Sequence, residues 1–170
     1  MQPGNPGAPR EKKTSFGLIA IVVIAGGSLV CVAFIGILAA IAIPAFVRYT
    51  RQAKTSEARS NIRAMALSEA SYYEERTSLV TSAGPVPPSP GPTKQLPAFS
   101  SDPGFSALGF APSDPVYFSY AITPDPAVPG GAILRANGDL DGDGSLSTFE
   151  VHCRANGDCD PVPMTTNEFE

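Results

Sequence analysis

Apolar residues fall along this chain in two different patterns. From Thr14 to Val47 there is no charged side chain, and the far end of that run reads Ile35-Gly-Ile-Leu-Ala-Ala-Ile-Ala-Ile-Pro-Ala-Phe46. About 20 apolar residues are enough to cross a hydrocarbon core. A helix is the single-span conformation that satisfies its own backbone in lipid, so the run predicts a transmembrane helix over 16–43. The pattern then becomes periodic. Ala58, Ile62, Met65, Ala66, Tyr72 and Tyr73 recur on one helical face with Glu69 as the only polar intruder, while Arg59, Ser60, Arg63, Ser71 and Glu74 lie elsewhere. No glycine or proline interrupts 45–83, so the helix should continue over 44–78. Pro44 should bend it, since proline is a usual cause of a helix kink.

The rest of the chain reads as loop and strand. Residues 1–15 combine a Pro/Gly-rich start with Arg10, Lys12 and Lys13, a composition that predicts a disordered tail. Residues 79–115 include Gly84-Pro-Val-Pro-Pro-Ser-Pro-Gly-Pro92, which suits an extended connector and neither a helix nor a central strand. Phe105 to Phe110 should form a compact apolar turn. Within 116–170, the alternation at Val116–Ile122, Ala132–Ala136 and Phe149–Cys153 predicts three strands, within an antiparallel sheet of three or four. Phe149, Val151 and Cys153 would share one face, and Glu150 and His152 the other.

Between the last two of these strands, Asp139-Leu-Asp-Gly-Asp-Gly-Ser-Leu-Ser-Thr-Phe-Glu150 has the spacing of a calcium loop. The candidate ligands are Asp139, Asp141, Asp143, Ser145, Ser147 and Glu150. Calcium takes six to eight oxygens, and Gly144 would make the sharp turn. The alternative is an acidic hairpin, because Asp-Gly is itself a favoured turn pair. Glu150 reaches the ion only if residues 147–150 coil.

Composition narrows the function. In 170 residues there is room for one anchor and one domain. A net charge of −4 and a pI near 5.0 give no support to a nucleic-acid role, which calls for a basic patch. His152 is the only histidine, and no phosphate loop or cysteine nucleophile setting is present. The expectation is that the protein is not an enzyme and requires no cofactor, with calcium the one candidate ion.

The apolar run Ile35-Gly-Ile-Leu-Ala-Ala-Ile-Ala-Ile-Pro-Ala-Phe46, followed by Val47-Arg-Tyr-Thr-Arg-Gln-Ala-Lys-Thr-Ser-Glu-Ala58, resembles the N-terminal helix of type IV pilins and type II secretion pseudopilins. The resemblance implies an α+β fold in which one long N-terminal helix, half of it in the membrane, packs on a small antiparallel sheet. It also implies a bacterial inner-membrane protein with a periplasmic C-terminal domain, or a subunit of a surface filament. Its partners would be the lipid bilayer and other pilin-like subunits or a membrane assembly platform. The family's precursors carry a glycine at the cleavage point and a glutamate five residues into the mature chain. Counting back from Gly36, the junction falls between Val22 and Val23, and Gly27 holds the glutamate's place. In a second register, opening at Phe16, Ser15 and Ala20 hold the two places; a third junction at Gly17 would put Val22 at the fifth residue. The expectation is therefore poor processing and a retained tail. A membrane-anchored interaction protein that does not assemble is the alternative.

The cysteines sort by position. Cys31 lies inside the apolar run, where a small buried hydrophobe is the expectation and lipidation the competing reading. Cys153 and Cys159 close a short turn-rich loop. In an exported domain this suggests a disulfide, with two free thiols or a metal pair as the alternatives.

Overall fold

The computed structural model describes residues 14–168, so most of the tail expected over 1–15 lies outside the described residues. Helix α1 runs from Thr14 to Arg76 and includes Pro44. It is followed by β1 (Ala83–Val86), a 3-10 turn (Phe99–Ser101), α2 (Pro103–Leu108), β2 (Ser119–Pro124), β3 (Ala132–Gly138), β4 (Ser147–Cys153) and β5 (Met164–Thr166). The strands form one antiparallel sheet in the order β1-β2-β3-β4-β5. A long N-terminal helix with an antiparallel sheet is the α+β, pilin-like layout expected from the sequence.

The chain divides into two compact units, residues 1–46 and 47–170. In the first, the described part of α1 is apolar on every side, and its large side chains, Ile24, Leu29 and Phe34 among them, are exposed. The helix is long and apolar enough to cross a membrane. Cys31, expected to be a small buried hydrophobe, is exposed like its apolar neighbours on the helix.

In the second unit the amphipathic stripe is buried. Ala58, Ile62 and Met65 join Phe118, Tyr120, Leu134, Phe149 and Val151 in one core, with Ala66, Tyr72 and Tyr73 packed at its edge. Strand β4 alternates as expected: Ser147, Phe149, Val151 and Cys153 point inward, and the residues between them do not. Full pairing from Ala132↔Cys153 to Gly138↔Ser147 extends both β3 and β4 toward the loop that joins them.

Three expectations need correction. Residues 79–115 are more than a connector, because Ala83–Val86 pairs with β2 as an edge strand, a position that tolerates Pro85. The apolar turn at Phe105 is a short helix. Asp102 accepts from the amides of Gly104 and Phe105, Pro103 starts the helix, and Gly109 closes it at φ 65, which together are a complete set of start and stop signals. Phe99 then packs edge-on against Phe105 and Phe110, 5.1 Å and 5.2 Å between ring centres, and Phe110 packs edge-on against Tyr120. The sheet also gains β5 at its far edge, from a stretch with no alternating apolar pattern.

Candidate functional site

The loop between β3 and β4 is built by its own carboxylates. Asp139 accepts from the amides of Gly142 (2.7 Å) and Gly144 (3.3 Å), and Asp143 accepts from Ser145 (2.7 Å). Gly142 and Gly144 sit at φ 81 and 89, a conformation that favours glycine. Asp139, Asp141 and Asp143 each bring an oxygen within 4.8 Å of the others. Ser145 stays in the loop beside them.

The remaining two candidates are placed elsewhere. Ser147 is the first residue of β4 and buried, and its hydroxyl donates to the Gly138 carbonyl at 3.3 Å. Glu150 lies on the opposite face of β4 and pairs with Arg135 Nε at 2.5 Å. Residues 147–150 are extended, so the twelfth-position carboxylate is turned away from the first three. Arg51 Nη2 also donates to Asp141 Oδ2 at 3.0 Å, placing a cation at the cluster. One oxygen from each of three carboxylates converges here, one of the three carboxylates being held by a guanidinium, whereas calcium takes six to eight oxygens. The spacing pattern assumes a helix after the loop; a strand sends alternate residues to opposite faces.

Cys153 and Cys159 are joined by a disulfide. Within the loop it closes, Arg154 N–H donates to the Asp158 carbonyl at 2.8 Å and Gly157 N–H to that of Arg154 at 2.9 Å. Gly157, at φ 86, lies so close to the Tyr73 ring that a Cβ there would collide with it. Cys159 Sγ is 3.9 Å from the Ala66 carbonyl. The loop therefore packs on the amphipathic part of α1.

Sequence reasoning missed several contacts that depend on long chain separations. Lys54 and Lys94 lie over the Tyr117 ring at 4.6 Å and 5.3 Å from its centre. Glu57 accepts the Tyr117 amide at 2.8 Å, along an open groove of about 540 Å³ between residues 53–61 and 112–117. His152 Nδ1 is 2.8 Å from Asp125 Oδ2, and this bond holds the Asp125 carboxyl below its usual range. No local pattern announces either arrangement.

A helix long enough to span a bilayer, continuing into an amphipathic stretch packed on an antiparallel sheet, defines a pilin-like class. The chain is 44% identical over 48 residues to the type IV major pilin protein PilA of Myxococcus xanthus (strain DK1622). The matched part is 28% of this chain and 22% of that protein, so the chain spans about a fifth of the curated relative it matches. No family model and no solved structure matches.

Proposed function

We propose that this chain is a pilin-like, single-pass protein of a bacterial inner membrane, a structural or minor component related to type IV pilus or type II secretion machinery. The observation that carries this reading is one helix, Thr14–Arg76, whose first part is apolar all round and uncovered while its second part is buried by a sheet. A helix hydrophobic on every side needs an apolar surrounding, and a striped one needs a single apolar wall. The partial likeness to a major pilin adds to it. The sheet domain would lie on the periplasmic side, where the Cys153–Cys159 bond persists. Its partners would be the bilayer and other pilin-like subunits or an assembly platform, with no nucleic acid. Its role would be structural rather than catalytic. The acidic loop would act as a hairpin held by its own amides and Arg51, so that chelators leave the melting temperature unchanged.

Gly27, or Ala20 in the register opening at Phe16, stands where the resemblance calls for a glutamate. This favours a second reading, a membrane-anchored interaction protein that does not polymerise. Shearing cells and separating surface filaments from inner membrane decides between the two. Recovery of the chain in sheared filaments supports the subunit; confinement to the inner membrane supports the anchored form. Recovery in the soluble fraction alone refutes both.

A further inference from the structure

The amphipathic face of α1 carries one acid, and the core encloses it. Glu69 is fully buried. Its Oε2 accepts the Val80 amide at 3.1 Å, while Oε1 is buried and meets no donor among the described residues. Val80 lies just past the chain reversal: α1 ends at Arg76, Thr77 turns at φ 58, Leu79 is buried, and β1 starts at Ala83. The Glu69–Val80 bond thus ties the turn back to the helix it has left.

The ionisable groups nearby are engaged elsewhere. Arg76 lies over the Tyr72 ring, Arg154 pairs with Asp160, and Tyr120 accepts from Asn61. Asp102 caps α2 and holds the Gly84 amide. Glu74 and Glu75 are exposed, and Tyr73 packs under the disulfide loop. Burial pushes the Glu69 carboxyl up to about 7, and the Val80 amide opposes this only in part. A buried acid without a counter-charge is kept neutral by taking up a proton.

We propose that Glu69 is a proton-operated latch: neutral, it sits in the core with Oε2 on the Val80 amide, and on ionisation the cost of a buried, unpaired charge outweighs the stronger bond to that amide and loosens the turn after α1 and the edge strand β1. The sign follows from linkage. The folded chain binds this proton more tightly than the unfolded one, so stability is complete below the ordinary carboxylate range. It falls as pH rises toward 7, and levels off above that.

The test follows unfolding and amide exchange of the full chain in lipid nanodiscs, between about pH 5 and 8. Wild type should lose on the order of tenfold to a hundredfold in its folding equilibrium constant across that range, after allowance for solvent screening. Exchange at residues 77–83 should rise beyond the intrinsic base-catalysed increase. Glu69→Gln keeps the acceptor and cannot ionise, so it should show neither effect. Identical pH profiles for wild type and E69Q overturn the proposal. If E69Q does not fold, carbon NMR of the wild-type Glu69 carboxyl decides: titration near 7 supports the latch, and titration in the ordinary carboxylate range overturns it.

Discussion

The two stretches of α1 are built from similar residues and stand in opposite surroundings. Leu29 is 74% exposed and Ile24 71%, whereas Ile62 and Met65 are fully enclosed by the sheet domain. In the first stretch the apolar residues run round the whole circumference, so no single wall could cover them. In the second they form a stripe, which one sheet does cover. The comparison separates two uses of hydrophobicity within one element. The stripe contributes to folding through burial inside the chain, and the uniform run contributes only where an outside phase receives it.

Substitutions can break this contrast. Ile62→Ala should cost the sheet domain about 2–5 kcal/mol, because it opens a cavity among β-strand side chains; Leu29→Ala should leave the domain's unfolding midpoint where it is. Chemical denaturation of both variants in nanodiscs checks this. Leu29→Arg should reverse the asymmetry, opposing membrane insertion by ~2.5–3.5 kcal/mol with no change in domain stability; a glycosylation-reporter insertion assay reads the difference.

Two smaller effects sharpen the picture on the sheet side. Replacing Cys153 and Cys159 together by serine should lower stability by about 2 kcal/mol, since the loop is short and its closure entropy small. The Tyr73 contact with Gly157 should loosen with it, visible as faster amide exchange in α1 near Ala66. Asp125 makes the smaller contribution. Its carboxyl is held low by His152 and by the Ala127 amide, so its stabilisation is present above the unfolded carboxylate value. It is lost as pH falls through the folded one. Asp125→Asn should flatten the acid limb of the stability profile, a direction opposite to the Glu69 effect, and a pH series of melting curves distinguishes them.

How much of this was legible in the sequence depended on the range of the cause. The extent of α1, the stripe from Ala58 to Tyr73, the inward face of β4 and the cysteine loop all follow from local periodicity or spacing. Helix α2 was equally local, and its signals, Asp102-Pro103 before and Gly109 after, were outweighed by the proline density around them. Strands β1 and β5 could not be read, because an edge strand of three or four residues is defined by its neighbour rather than by its own pattern. For the acidic loop the spacing left a calcium loop and a hairpin both open, and the condition on Glu150 depended on whether residues 147–150 coil; they are extended, and Glu150 turns toward Arg135. Glu69 was visible as an intruder on the stripe. Its enclosure, with no counter-charge among the described residues, depends on how the turn after α1 folds back, and no pattern within the helix encodes that.

In the function proposed, residues of α1 before Val47 reside in lipid while those after it belong to the sheet domain. Hydrogen exchange of the full chain in nanodiscs, resolved along α1, tests it directly. Protection across Ile19–Phe46 should last in lipid and disappear when lipid is stripped away, and protection across Ala58–Tyr73 should be the same in both conditions. Protection of Ile19–Phe46 without lipid, or its absence in lipid, would overturn this placement of α1.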